Sequence, residues 1–323
     1  MERTARLERL IARASAPKGR TAAAIGAELT RTLGPGALGS TQVLRLKPGR
    51  RALLRLHWRK AGGEVPVLAK IRAKAHDHAA VDIQRRLEGL SAEGFPIAAL
   101  LGEVPSARLW LQTDLGGVGG GAFLADGGDA ALFGARSAAA IRRLHESGVR
   151  LEREWSVPDE AAVMGKALDR LAAGAPRFAP DARRLLQTAL DVLSGLGPFE
   201  ARAIHRDFYM DQVQVTERGF ALVDLDLAAH GDPAQDAGNF LAHLDEWRLR
   251  EPGLSGALEQ AIHAFSAGLP FSRQDRERMA RWRAISLTRL AAIGHALPER
   301  AAFTAVTIEA AERALGAEAV PAV

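Results

Sequence analysis

The chain has 323 residues and no cysteine, which excludes disulfides, thiolate metal sites and cysteine nucleophiles and fits a reducing compartment. Aromatic residues are scarce at 5%, with a single tyrosine. That leaves too little stacking surface for a single-strand nucleic-acid binder, which interleaves aromatics with a basic stripe. No uninterrupted apolar stretch approaches bilayer length, so no membrane association is expected. The first residues, Met1-Glu2-Arg3-Thr4-Ala5-Arg6, are charged where a secretory leader would be apolar, so the expected location is cytoplasmic. Charge of one sign is hardly in excess: 43 Lys and Arg against 38 Asp and Glu leave +5. The arginines are scattered, and short clusters such as Arg50-Arg51 and Arg85-Arg86 read as solvated helix faces.

Hydrophobic residues at 47% and charged residues at 25% suit a globular protein, and the apolar periodicity changes along the chain. The first thirty-odd residues read as helix, with Leu7, Leu10 and Ile11 on one face and Ile25 and Leu29 continuing it. Strands follow at 41–46, 51–57 and 65–71, the first two joined by the turn Lys47-Pro48-Gly49-Arg50. Asp77 is placed to cap a helix reaching about Leu90, and a fourth strand covers 108–112. Gly116 to Gly121 reads as a flexible stretch. Helices are expected at 138–146, 159–173 and 180–195, and again from Asp236 onward. Between them lies one small hairpin, 212–215 and 220–225. The fold class is therefore α+β: a β-rich half of residues 1–113 and a mainly helical half of 114–323.

The segment from His205 to Asp236 concentrates the chemistry. It reads His205-Arg206-Asp207 and then Gln212, next Val223-Asp224, and last Gly231-Asp232-Pro233 with Asp236. Phosphoryl transfer needs a carboxylate to orient and deprotonate the attacking hydroxyl, and oxygen ligands for magnesium on the phosphates. Asp207 precedes the hairpin, while Gln212 and Asp224 fall on its two strands, so the tight turn brings their oxygens together.

In this order and spacing the segment resembles the aminoglycoside phosphotransferase and choline kinase superfamily, relatives of the protein kinases. Those proteins carry His-x-Asp-x-x-x-x-Asn, a strand ending in Ile-Asp, and Gly-Asp-Pro-x-x-Asp. The resemblance implies a protein-kinase-like two-lobed fold with ATP as co-substrate, Mg²⁺, and a small-molecule hydroxyl acceptor. It makes Asp207 the catalytic aspartate, and Gln212 and Asp224 the metal ligands. His205, Asp232 and Asp236 become supports, with Asp236 capping the next helix and bracing the loop. Gln212 replaces the family asparagine; it keeps the amide oxygen on a longer arm. That departure leaves open an alternative, a nucleotide-binding pseudokinase acting as an interaction module.

The resemblance further implies a phosphate-binding lysine on the third strand, Lys70, with Asp82 or Glu88 as acidic partner. It places a phosphate-covering turn at Lys47, Gly49 and Arg50, and a link from Gln112 to Asp114 meeting the adenine through its backbone. Gly34-Pro35-Gly36-Ala37-Leu38-Gly39 spells a dinucleotide fingerprint but neither follows a strand nor opens a helix, so it reads as a connection. His76-Asp77-His78 suggests a metal, yet two histidines at that spacing on a helix point apart, and a solvated helix start is expected. His145 reads as structural.

Overall fold

The structure, a computed structural model, describes residues 2–319 and divides into two units between Gly116 and Gly117. In the first unit Pro17 and Gly19 interrupt the N-terminal helix, so two helices form where the periodicity alone suggested one. These are α1 (Glu2–Ser15) and α2 (Arg20–Leu33). Strands β1 (Ala37–Lys47), β2 (Arg51–Lys60) and β3 (Gly63–Arg72) then lead to α3 (His78–Leu87), which Asp77 caps by accepting from Ala80 N. Strands β4 (Leu100–Val104) and β5 (Leu109–Thr113) complete an antiparallel sheet in the order β1-β2-β3-β5-β4.

Period-two alternation builds this unit's core. Ala52, Leu54, Leu56 and Trp58 of β2 are buried, together with Val67, Ala69 and Ile71 of β3. They pack with Leu7 and Leu10 of α1 and Ile25 and Leu29 of α2. The opposite sheet face carries Trp110, packed with Ala80 and Val81 of α3. Strand β4 was not expected from the sequence, because Ile97 to Leu101 is an apolar run without alternation.

The second unit begins with β6 (Val118–Gly119), α4 (Gly120–Ala125), α5 (Ala130–His145), α6 (Val157–Gly174) and α7 (Ala179–Ser194). Ser156 and Asp159 form a reciprocal capping box that fixes where α6 starts. Short strands β7 (Arg202–Ile204), β8 (Val213–Thr216), β9 (Gly219–Leu222) and β10 (Ala229–Gly231) form two small sheets, β6-β8-β9 and β10-β7. Helices α8 (Pro233–Arg250), α9 (Ser255–Ala267), α10 (Arg273–His295) and α11 (Thr304–Ala319) follow. Among the described residues no helix is long and apolar enough to cross a membrane. The core of this unit contains an aromatic stack: Phe240 stacks on Phe208 at 5.1 Å and on Phe265 at 4.2 Å, with Phe133 at 6.3 Å.

The glycine run expected to be flexible is instead ordered, and its composition serves packing. Val118 and Gly119 pair with β8, and Gly120 opens α4. A Cβ on Gly120 would lie 2.2 Å from Phe133 Cζ and 2.5 Å from the Met210 carbonyl oxygen, so no side chain fits. Gly120→Ala is expected to destabilise the protein by about 2 kcal/mol through overpacking, read as a lower urea midpoint with unchanged slope. An unchanged midpoint would return this run to the status of a mobile linker.

Candidate active site

The segment that leads into Asp207 is held by one buried carboxyl group. Asp236 accepts from His205 N at 2.7 Å, from Arg206 N at 2.7 Å and from His145 Nε2 at 2.9 Å. Asp236 does not cap the next helix as expected. Pro233 fits the first turn without needing an N–H donor, so the helix starts earlier and Asp232 takes the cap, accepting from Ala234 N. Asp232 also accepts from Trp282 Nε1 at 2.8 Å; burial raises its pKa, against the lowering by these hydrogen bonds and by Arg278.

From this clamp the chain presents Asp207 between two anchored neighbours. His205, fully buried, donates from Nε2 to Val223 O at 2.8 Å. Phe208, also fully buried, sits in the aromatic core, and its carbonyl accepts from Asn239 Nδ2 at 2.8 Å. Gln212 ends a short 3₁₀ turn, Met210–Gln212, and is buried; its carbonyl accepts from Val223 N at 3.0 Å. Asp224 is thus the residue after one tied to both His205 and Gln212. Asp207, Gln212 and Asp224 therefore belong to one hydrogen-bonded neighbourhood.

Two non-glycine residues here adopt the left-handed region, Arg206 at φ 71° and Asp224 at φ 56°. Aspartate tolerates it, whereas arginine is held there at a cost of about 1 kcal/mol. The Arg206 guanidinium carbon lies over the Trp155 ring, 3.4 Å from its centroid. Trp155 in turn donates to Glu160, which also accepts from Gln235 and pairs with Arg289 at 3.4 Å. Burial, then the nearby Arg153 and Arg289 guanidiniums, lower the Arg206 pKa to about 10, with Glu160 and Asp207 acting against the shift. The buried Nε atoms of Arg206 and Arg289 have no hydrogen-bond partner among the described residues. Sequence reasoning missed Arg153, Trp155, Glu160 and Arg289 altogether; the one signal available was an arginine between His205 and Asp207.

In the N-terminal unit Lys70 faces away from the apolar core, 5.9 Å from the Trp110 ring centroid. Lys70 pairs in register with Leu53 and Trp110. The turn 47–50 lies beyond the pair Arg51–Arg72 at one end, and Gln112 pairs with Leu68 toward the other. Each lies about 7 Å or more along the strands from Lys70. The turn is closed by Arg50 N donating to Lys47 O, with Gly49 at φ 66°. Asp114 accepts from Arg55 at 2.5 Å and from Gly116 N at 3.0 Å, and Gln112 is buried in β5, paired with Leu68 on one side and Leu100 on the other. Of the acids weighed beside Lys70, Asp82 pairs with Arg86 at 2.6 Å and Glu88 accepts from Leu100 N at 2.6 Å.

Residues 35–282 match the phosphotransferase enzyme family. No curated protein matches the chain. Among solved structures, a choline/ethanolamine kinase family protein from Mesorhizobium loti is similar with a TM-score of 0.56 at 16% identity, covering 92% of this chain and 98% of the other. A spectinomycin phosphotransferase in complex with ADP and spectinomycin gives 0.59 at 11% identity, covering 94% and 100%. A glucosamine kinase gives 0.56 at 18%, covering 92% and 84%. At such identities the likeness is one of fold, a protein-kinase-like α+β arrangement.

His243 on α8 stacks on Tyr209, two residues after Asp207, with centroids 4.5 Å apart and planes 17° apart. Burial, reinforced by Arg289, Arg300 and Arg250, pushes its pKa from 6.5 down to about 3. The folded imidazole stays neutral while the unfolded one takes a proton, so stability is full above about 6.5 and falls as pH drops toward 3. Urea midpoints should decline already between pH 6.5 and about 5, above the carboxylate range. His243→Gln should flatten that part of the curve, and an equal decline in both proteins would remove His243 as its source.

Proposed function

The chain belongs to the phosphotransferase enzyme family, and from that premise we propose that it moves the γ-phosphate of ATP onto a hydroxyl of a small anionic molecule, with Mg²⁺. The observation that carries the reading is the Asp236 clamp, which fixes the backbone on the N-terminal side of Asp207 while His205 and Gln212 tie the loop to the residue before Asp224. In this reading Asp207 accepts the acceptor's proton as its oxygen bonds to phosphorus. The bond to the β-phosphate oxygen breaks, and ADP leaves. Lys70 holds the α- and β-phosphates, the turn 47–50 covers them, and the main chain of 112–114 meets the base. Asp224 and Gln212 suit magnesium because both offer hard oxygens on segments joined by one backbone hydrogen bond. Magnesium held there would neutralise charge on the phosphates.

The acceptor class follows from charge. Arg153, Arg206 and Arg289 are close enough for the first and third to disfavour the charge on the second. Glu160, the nearby buried acid, is already engaged by Trp155, Gln235 and Arg289. A carboxylate or phosphate on the acceptor would relieve that repulsion and meet guanidinium donors of matching geometry. A polycationic acceptor would add to it.

Asp207→Asn is expected to lower the rate of ADP release by at least about a hundredfold while Mg-ATP binding by calorimetry changes little. Wild-type turnover in this variant would displace Asp207 from catalysis. If the wild-type chain binds Mg-ATP yet turns over with no acceptor, the interaction-module reading takes precedence.

Acceptors matched except for charge separate the classes: hydroxy acids and sugar acids against amino sugars and amino alcohols. The anionic members should give the higher kcat/KM. Arg206→Gly, which relieves the positive φ, should raise KM for them by about tenfold and leave KM for ATP unchanged. Preference for the cationic members would overturn the anionic reading and leave phosphoryl transfer standing.

A further inference from the structure

We propose that His76, His78 and Glu103 form a transition-metal site, suited to Zn²⁺, that fastens the start of α3 to β4 in the N-terminal unit. Two histidines at i and i+2 would diverge if both were helical, which is why the sequence pattern reads as a solvated helix start. The structure removes that objection. His76 lies in the non-helical segment before the cap Asp77, and only His78 belongs to α3. Their rings meet edge to face with centroids 4.6 Å apart. The third donor comes from a strand the sequence did not announce: Glu103 Oε2 lies 2.9 Å from His76 Nε2. One ligand atom from each of the three residues lies within 4.8 Å of the others.

The chemistry of the set selects the ion. Two imidazoles and one carboxylate are the donors of three-ligand zinc sites, with bonds of about 2.0–2.2 Å. Tetrahedral bonds of that length put ligand atoms roughly 3.4 Å apart, so closure needs movements of about 1.5 Å, within reach of the exposed His78 side chain. Magnesium, which prefers an octahedron of oxygens, is disfavoured.

A second, independent observation concerns His76 itself. Its side chain is 5% exposed, and its Nδ1 is buried with no hydrogen-bond partner among the described residues. An unmatched buried nitrogen costs about 1–3 kcal/mol. An ion held beside Glu103 would bind at Nε2, the ring nitrogen that faces that carboxylate, and would fix the ring in the tautomer with its proton on Nδ1. The neighbouring charges leave room for the ion. Asp77 is engaged by Arg72 at 3.1 Å and by the cap to Ala80 N. Arg85 approaches the other oxygen of Glu103, Oε1, at 3.4 Å.

The site bears on the nucleotide unit through Trp110. His76 packs edge-on against that ring at 6.4 Å, and Arg72 and Lys70 lie 5.2 and 5.9 Å from its centroid. A metal at His76 thus ties α3, β4 and the Trp110 platform together in the unit that carries Lys70. The proposal does not depend on the identity of the acceptor or on phosphoryl transfer.

The test uses the full chain without a histidine tag, stripped with chelator and titrated with ZnCl₂ by calorimetry. One Zn²⁺ per chain is expected, with a rise in thermal midpoint on loading. Co²⁺ in its place should give the intense visible bands of a four-coordinate ion. His78→Gln and Glu103→Gln change an exposed and a half-buried residue, so both should fold, with chelated midpoints close to wild type. Each should weaken Zn²⁺ binding by at least about tenfold. His57→Gln is the control, since His57 and Glu64, 3.3 Å apart, are a second histidine–carboxylate pair in this unit. Absence of saturable Zn²⁺ binding, or binding unchanged in both site variants, or loss in the His57 variant alone, would overturn the proposal.

Discussion

The C-terminal unit depends on the burial of one carboxyl group. Asp236 has no exposed surface, and moving a carboxylate out of water costs several kcal/mol unless its oxygens are fully matched. Here three donors reach it, two of them consecutive backbone N–H groups of His205 and Arg206. Two adjacent amides can converge on one carboxylate only if the backbone bends sharply between them. The torsions of His205 set that convergence, and the positive φ of Arg206 then turns the chain immediately before Asp207. The next residue is Asp207, so the carboxyl group buried from α8 and the carboxylate proposed as catalytic are placed by one stretch of backbone.

That geometry spreads through neighbours because each has a single satisfying partner. His205 ties the loop to Val223, and Val223 ties back to Gln212, so β8 and β9 keep register up to Asp224. Phe208 drives the other side of the loop into the aromatic stack, and Asn239 on α8 secures its carbonyl while accepting from Arg289 on α10 at 2.7 Å. Strained residues persist only where surrounding contacts over-determine them, and Arg206 and Asp224 both sit inside such a network.

Much of this was legible in the chain because it is local. His205, Asp207, Gln212, Asp224 and the Gly-Asp-Pro motif lie within about thirty residues, and a hairpin is a short-range structure that spacing describes well. Apart from β4, the strands of the N-terminal sheet declared themselves in the sequence, as did the Asp77 cap by its side chain. What escaped was long-range or depended on context. Glu160 reaches Gln235 across 75 positions, and Arg206 stacks on a tryptophan 51 positions away, contacts that no periodicity encodes. The glycine run 116–121 looked like a linker because composition does not reveal that Phe133 would fill the space of a Cβ. Assigning the helix cap to Asp236 instead of Asp232 reflects a rule applied one turn late: proline at the first helical position moves the start toward the N-terminus.

The arginines show how far composition misleads about charge. With a net excess of only +5, scattered guanidiniums read as solvent-facing decoration. Several are instead spent inside the second unit. Arg278 pairs with Asp275 and approaches Asp232, Arg283 grips Asp245, and Arg153 donates to the carbonyl of Asp226. Each of these has an internal acceptor that accounts for its position. Arg206 differs, since its guanidinium reaches the Leu227 carbonyl only at 3.4 Å, sits over the Trp155 ring, and is carried on a strained backbone. A glycine at 206 would give the loop the same bend at lower cost, because glycine populates positive φ freely. The loop geometry therefore explains the bend and leaves the side chain unexplained. The anionic acceptor proposed above would supply that side chain, next to Asp207, with the partner it lacks inside the fold.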